Sequence, residues 1–272
     1  MEILVGIVIG LVLGLTGAGG SVFAVPLLIW LVGLEPSQAI GISLGAVAAG
    51  ALFGVIARLR SSDIQWLPAV VFAVLSAIVT PVGIWLNQQI DQRWLMIGFG
   101  LLVIVIAVRL WLQTTKSPDA AAEVRARINA PEEVSGAVCR MIGNNPFKLG
   151  LPCILGISGG AIVTGILSGL FGVGGGFIIV PTLMFLTGIS IRQAVATSLV
   201  VITVIGISGF TGFLISGGNP GWMLLGQVAI GSIIGMFAGV FLSKHISGCA
   251  LQRVFVVLML IMAIGTLIDN LF

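Results

Sequence analysis

Residues 14–26 have the sequence GLTGAGGSVFAVP, and residues 169–181 have the sequence GLFGVGGGFIIVP. A shift of 155 residues aligns 14–45 with 169–200 and gives 14 identities in 32 positions. The identities include Gly, Pro, Gln and Ser, which chance similarity between apolar segments does not supply. The chain therefore contains two copies of one unit, each opening on a glycine-broken hydrophobic segment.

The composition is that of a membrane protein. Of 272 residues, 58% are hydrophobic and 8% are charged, whereas a soluble domain carries about 25% charged residues. With one further residue inserted, a shift of 156 places Gly83 on Gly239. Each unit is then a broken segment followed by three apolar runs, most of them long enough to cross a bilayer. The runs are 3–33 (broken near 16–21), 38–57, 66–86 and 94–112, then 158–187 (broken near 171–176), 193–215, 222–242 and 251–268.

The arms of the broken segments, about a dozen residues each, fit re-entrant hairpins better than spans. Cytoplasmic loops collect Lys and Arg. If both broken segments are hairpins, only Arg93 of the 12 Lys and Arg residues lies outside, whereas four lie outside if both segments span. Hairpins leave three crossings per unit, so the second unit is predicted to be inverted relative to the first. Inverted repeats are a recurrent plan of secondary transporters.

The expected fold is an all-α polytopic membrane protein with two inverted repeats, six crossings and both termini outside. The first repeat is assigned to 1–112 and the second to 149–272, each with one hairpin and three transmembrane helices. Residues 113–148 are polar and are assigned to a cytoplasmic linker. The six tryptophans lie near the ends of runs, as interfacial belts require. We expect a multi-pass protein of the cell (inner/plasma) membrane.

The glycine breaks suggest an anion site. Glycine permits unusual dihedrals and the close approach of a ligand. A helix starts just after each cluster, at about Ser21 and Gly176, and its free N–H groups and positive dipole end attract anions. Inverted repeats bring the two helix starts to the midplane from opposite faces, with hydroxyl groups as further donors. The expected substrate-binding residues are Gly17, Gly19, Gly20, Ser21, Ser43, Gly172, Gly174, Gly175, Gly176, Thr197 and Ser198.

Each of these residue types has a second interpretation. Glycines in membrane helices often allow close helix packing, and Ser and Thr often form interhelical hydrogen bonds. The prolines either bend their helices or occupy a tolerated first turn. The glutamines either contact substrate or cap the hairpins and tie helices together. The residues assigned to helix bending or gating are Pro26, Pro181, Gln38 and Gln193.

Several functions are disfavoured. No Asp, Glu, Lys, Arg or His lies in the middle of an apolar run, whereas proton-coupled pumps usually carry an intramembrane carboxylate or histidine. We therefore expect facilitated or potential-driven anion efflux. The glycine clusters lack the Lys-Ser/Thr of a phosphate loop, and the three scattered cysteines fit small buried residues. We expect no enzyme activity, no catalytic residue, no metal, no cofactor and no nucleic-acid partner. The expected partners are a small anion and the lipid bilayer.

The two motifs, each followed by a Gln-Ala and a Ser-Leu pair, resemble the TauE/SafE sulfite exporter family over essentially the whole chain. The resemblance implies a permease that exports a small sulfur oxyanion, sulfite or an organosulfonate. An anion channel, an importer of a sulfur compound and a membrane-embedded assembly factor remain alternatives. Ser21 stands where the second copy has Gly176. The positions matched to the family motif are Gly17, Gly19, Gly20, Pro26, Gly172, Gly174, Gly175 and Pro181.

Overall fold

A computed structural model describes residues 1–17, 20–59, 63–116, 151–187, 189 and 191–242, together with Val257, Leu260, Ile261 and Gly265. This described part of the chain is all-helical and contains no strand. Its long helices are α1 (Glu2–Thr16), α2 (Gly20–Val32), α3 (Pro36–Arg58), α4 (Trp66–Gln89), α5 (Gln92–Lys116), α6 (Leu151–Phe171), α7 (Gly176–Thr187), α8 (Ile191–Ile215) and α9 (Trp222–Leu242).

The helix bounds follow the predicted apolar runs closely, and α9 coincides with the run predicted at 222–242. Helix α6 begins at Leu151, before the run predicted from 158, because the added residues are mostly apolar and Pro152 falls in the first turn, where a missing N–H is tolerated. Helix α5 continues through Lys116, past the predicted linker start at 113. The rest of the predicted linker and most of the run predicted at 251–268 lie outside the described residues.

Four described helices are long and apolar enough to cross a membrane: Pro36–Arg58, Trp66–Gln89, Gln193–Ile215 and Trp222–Leu242. The surface of α4 is mainly apolar, with Val74, Ile78 and Val82 at least half exposed, whereas Ser76 and Thr80 on the same helix are fully buried. Apolar side chains outside and hydroxyl groups inside are what a lipid environment selects, because lipid tails solvate apolar groups and leave polar ones unsatisfied. The chain is a multi-pass membrane protein.

Helices α3 and α8 hold equivalent places in the two copies, and they pack against each other in antiparallel directions. The start of α3 contacts the end of α8, the middles contact each other, and the end of α3 contacts the start of α8. Glycines on both helices permit the close approach. The contacts pair Gly41 with Phe213, Leu44 with Gly206, and Leu199 with Gly54.

The first arm of each broken segment packs on a helix of the other copy through a pair of glycines. A Cβ placed on Gly14 of α1 would lie 2.9 Å from the Cα of Gly239 in α9. A Cβ placed on Gly169 of α6 would likewise lie 2.9 Å from the Cα of Gly83 in α4. These are equivalent pairs, because Gly14 aligns with Gly169 and Gly83 with Gly239. The two copies are therefore interlocked by the same contact made twice.

The chain reverses direction at both breaks. A Cβ on Gly20 would lie 2.5 Å from the carbonyl oxygen of Ile9, although an unbroken helix would separate the two residues by about 16 Å. In the second copy, Gly175 at the start of α7 contacts Thr164, and a Cβ on Gly160 would lie 2.7 Å from Cγ2 of Thr182. Each second arm therefore packs against its first arm.

The helix ends group into two sets, which we call the Glu35 end and the Gln65 end. At the Glu35 end, a cavity of about 270 Å³ is lined by the start of α3, the end of α4 and the end of α8. At the Gln65 end, the backbone N–H of Gln65, just before α4, donates to Oγ1 of Thr197 near the start of α8 at 3.1 Å. The lining of the cavity is Glu35, Ser37, Gln38, Gln88, Phe213, Ser216, Gly217, Gly218 and Asn219.

Candidate substrate site

Each first arm ends at a glycine in the left-handed backbone conformation. Gly17 closes α1 with φ 71°, and its N–H donates to the carbonyl of Leu13 at 2.7 Å. Gly172, its equivalent at a shift of 155, has φ 69°, and its N–H donates to the carbonyl of Ser168 at 2.8 Å. Residues with a Cβ rarely adopt this conformation, so both ends require glycine.

A serine from the other copy holds each of these glycines. The hydroxyl of Ser43 in α3 donates to the carbonyl of Gly172 at 2.9 Å. The hydroxyl of Ser198 in α8 lies 3.2 Å from the carbonyl of Gly17 and 2.9 Å from the carbonyl of Val195. Carbonyls at a helix C-terminus have no intrahelical donor, and these buried hydroxyls supply one. Of the two interpretations of these serines, the structure shows the interhelical hydrogen bond.

The same two glycines leave no room for a side chain. A Cβ on Gly17 would collide with the side chain of Val195, and a Cβ on Gly172 would lie 2.9 Å from the Cα of Ile40. Ile40 and Val195 are also equivalent at a shift of 155. Both breaks therefore sit against the other copy through matching hydrogen bonds and matching apolar contacts.

The two breaks meet in the interior of the bundle. Gly174, in the second break, has φ 64°. A Cβ on Gly174 would lie 3.4 Å from Cβ of Ser21, in the first turn of α2, and 3.6 Å from Cγ1 of Val47 and Cγ2 of Ile202. Residues from both broken segments and from both long helices α3 and α8 therefore surround one methyl-sized space.

The helix starts around this space are buried and carry no full charge. Gly20 and Ser21 open α2, Gly176 opens α7, and all three are buried. The N–H groups of a first helical turn have no intrahelical acceptor, and the dipole is positive there. Among the described side chains, every buried polar one belongs to Ser or Thr. Dipoles and hydroxyls in such an interior favour an anion over a cation.

Both prolines lie in helix interiors, so the first-turn interpretation is wrong. Pro26 lies inside α2, which begins at Gly20, and Pro181 lies inside α7, which begins at Gly176. A proline at these positions removes the N–H that would bond to the carbonyl four residues earlier and bends the helix. In α2 this is the carbonyl of Val22, in the turn next to the meeting point. The side chain of Pro181 lies outside the described part.

The other predicted residues lie farther from the meeting point or outside the description. The hydroxyl of Thr197 is engaged with the backbone of Gln65, and Gln38 lines the cavity at the Glu35 end. Gln193 lies near the start of α8 and is partly buried. Gly20 and Gly175 lie where the second arm of each broken segment packs against its first arm. At these two positions glycine permits close packing. Gly19 lies outside the described residues.

Sequence reasoning missed four aliphatic residues of the site: Ile40, Val47, Val195 and Ile202. They form two pairs related by the shift of 155, and each pair contacts glycines of the breaks. The available signal was the alignment of the two copies, which pairs Ile40 with Val195 and Val47 with Ile202. Because aliphatic residues dominate every membrane helix, and the members of each pair differ, they do not stand out in the alignment.

Known proteins identify the family. The profile described as "Sulfite exporter TauE/SafE" matches residues 2–266. The chain belongs to the TauE/SafE family. It is 32% identical over 260 residues to a "Probable membrane transporter protein" of Xylella fastidiosa (strain 9a5c), which covers 94% of this chain and 90% of the relative. It is 29% identical to "Probable membrane transporter protein YdhB" of Bacillus subtilis (strain 168), with 87% of both chains covered. No solved structure matches the chain.

This TauE/SafE protein is accordingly a membrane transporter, and its relatives carry that description as well. The sequence-based assignment to the family is confirmed. A transporter of this family requires a lipid bilayer and a small substrate.

Proposed function

We propose that this TauE/SafE protein exports a small sulfur oxyanion, sulfite or an organosulfonate, through a site between the starts of α2 and α7. The observation that carries the proposal is the approach of the two breaks, since a Cβ placed on Gly174 of the second break would lie 3.4 Å from Cβ of Ser21 in the first turn of α2. Two buried helix starts meet there and no described side chain at this point is charged, so the first-turn N–H groups and the helix dipoles bind the anion. The sulfur chemistry rests on the family description.

Contacts at the bundle ends support the re-entrant hairpins. Helix α1 runs parallel to α9, since Gly6 contacts Val228 and Gly14 contacts Gly239. Helix α9 follows the loop at the Glu35 end, and α2 leads back to Glu35 itself. The first hairpin therefore enters and leaves at the Glu35 end. In the membrane, this is the geometry of a re-entrant segment.

The second hairpin has the opposite orientation. Helix α6 runs parallel to α4, which starts at the Gln65 end, and the amide Nδ2 of Asn87, near the end of α4, donates to the carbonyl of Leu170 at 2.6 Å. Helix α7 then returns along α6 towards α8, which starts at the Gln65 end. Opposite entry of equivalent hairpins and the antiparallel α3 and α8 support inverted repeats over 1–112 and 149–272.

The positions of the Lys and Arg residues indicate which end of the bundle faces the cytoplasm. Arg58 and Arg192 belong to the Gln65 end, and α5 ends and α6 begins at that end as well. By the positive-inside rule the Gln65 end is cytoplasmic, and both termini are outside. An interior-negative potential then drives a bound anion outward by about 2.3 kcal/mol per charge per 100 mV.

Flux measurements on purified protein in liposomes test the proposal. We expect vesicles loaded with sulfite to release it faster under an interior-negative potential than at zero potential. Gly174→Val fills the meeting point at a left-handed backbone position and should reduce the flux to that of protein-free vesicles. The matched control is Gly159→Val, because Gly159 on α6 is exposed and no described residue lies within 4 Å of a Cβ placed on it.

Each outcome has a defined meaning. Sulfite release that ignores the potential contradicts potential-driven export, and normal flux through Gly174→Val contradicts the assigned site. Saturable flux stimulated by anion on the opposite side supports a carrier, whereas unitary currents support an anion channel at the same site. Sulfite, an organosulfonate and sulfate are each tested for an increase in the thermal stability of the protein and for release from the vesicles. If none of the three stabilises the protein and none is released faster than from protein-free vesicles, the assignment to sulfur oxyanions is wrong.

A further inference from the structure

We propose that Val47 and Ile202 form the apolar constriction of the anion path and set the size of the anion that passes. This inference rests on the proposed transport function. It assigns roles to two residues of an otherwise ordinary aliphatic type, on the basis of their place in the repeat.

The two residues occupy equivalent positions on antiparallel helices. Val47 lies in the middle of the 23-residue α3, and Ile202 lies near the middle of the 25-residue α8. They align at a shift of 155, yet both approach the same residue, since a Cβ on Gly174 would lie 3.6 Å from a γ-carbon of each. Because Val47 and Ile202 are equivalent and both lie beside Gly174, they lie close to the axis that relates the two copies. A central path between inverted repeats passes through this axis.

The chemistry of the pair suits a constriction. Val47 is 1% exposed and Ile202 is 0% exposed, so protein surrounds both. Their β-branched side chains are stiff at χ1 and hold their position. Narrow apolar sections exclude water and thereby block ions until they widen. Cβ of Ser21, in the first turn of α2, lies on the remaining side of the space, 3.4 Å from a Cβ placed on Gly174.

The size of the space beside Val47 and Ile202 connects these two residues to selectivity for anion size. The space at Gly174 accommodates one methyl group, because its three nearest neighbours would contact a Cβ at ordinary van der Waals distances of 3.4–3.6 Å. An oxyanion is larger, so it passes only when Val47 and Ile202 separate. The width then reached depends on the size of these two side chains, and removal of methyl groups should admit larger anions.

Relative flux of two anions tests the constriction. Ile202→Ala and Val47→Ala are compared with wild type in liposomes, with ethanesulfonate as the small anion and benzenesulfonate as the large one. We expect the benzenesulfonate-to-ethanesulfonate ratio to rise roughly tenfold or more in each variant, which is the usual effect of methyl groups in an apolar site. The matched control is Ile205→Ala, which truncates a fully buried residue on the next turn of α8 and should leave the ratio unchanged.

A milder variant covers the case in which Ile202→Ala does not fold. Ile202→Val removes a single carbon and should raise the ratio in the same direction by a smaller factor. An unchanged ratio in the folded Ile202 and Val47 variants, or an equal rise in Ile205→Ala, overturns the proposed constriction. The absence of any anion flux in the wild type would instead contradict the proposed function, so the two failures are distinguishable.

Discussion

The hydroxyl of Ser43 donates a 2.9 Å hydrogen bond to the carbonyl of Gly172, and so joins the middle of one repeat to the break of the other. The equivalent serine, Ser198, reaches the carbonyl of Gly17 at 3.2 Å. Each half of the protein therefore completes the helix end of the opposite half.

Ser43→Ala should destabilise the protein. The substitution leaves the buried carbonyl of Gly172 without its donor, which costs about 1–3 kcal/mol, and thermal unfolding in detergent measures the loss. Ser198→Ala should cost less, because the Ser198 hydroxyl divides its contacts between Gly17 and Val195. Ser37→Ala is the control, since Ser37 is exposed on the same helix as Ser43. Equal melting temperatures for Ser43→Ala and Ser37→Ala would contradict this role of the hydrogen bond.

The glycine pairs between helices should tolerate no added methyl group. In Gly169→Ala the Cβ would meet the backbone of Gly83 and Ile84 within 3 Å, so the helices must separate at a cost of about 1–3 kcal/mol. In Gly159→Ala, on the same helix, the Cβ meets no described atom within 4 Å, so the change should be neutral or stabilise by up to about 1 kcal/mol through helix propensity. Chemical unfolding of both variants measures the difference. Similar stabilities would show that α4 and α6 are not closely packed.

Two equivalent serines should respond differently to the same substitution. Ser76 of α4 donates to the carbonyl of Ala161 at 2.9 Å, whereas its equivalent at a shift of 156, Ser232 of α9, is fully buried and its hydroxyl has no hydrogen-bond partner among the described residues. Ser76→Ala should cost about 0.6 kcal/mol, the average for such bonds in membranes. Ser232→Ala removes an unpaired buried hydroxyl and should be neutral or stabilising. Equal losses of melting temperature would mean that Ser232 is paired in the membrane.

The repeat explains what was predictable from sequence. The sequence alone aligns Gly14 with Gly169 and Gly83 with Gly239. In the structure, Gly14 packs on Gly239 and Gly169 packs on Gly83. Helix bounds were predictable because apolar run length has a direct physical cause in bilayer thickness. The run predicted from 158 starts later than α6, which begins at Leu151.

Contacts between distant residues were not predictable in the same way. No local pattern indicates that the hydroxyl of Ser43 reaches the carbonyl of Gly172, because the two residues are 129 positions apart in the chain. Val47 and Ile202 were overlooked because their role depends on position and not on residue type. For Pro26, periodicity could not separate a first-turn proline from an interior one, since this depends on where α2 starts, and it starts at Gly20.

The most direct test of the central claim is a disulfide between the two breaks. In a protein whose native cysteines are replaced by alanine, Ser21→Cys and Gly174→Cys place two Cβ atoms about 3.4 Å apart, close to the separation of about 3.5–4.5 Å that disulfides adopt. Efflux of ethanesulfonate is measured before and after oxidation, because sulfite itself would cleave the bond. We predict that the disulfide forms and that flux through the cross-linked protein is at background. Failure of the disulfide to form, or unchanged flux through the cross-linked protein, would contradict an anion path between the two breaks.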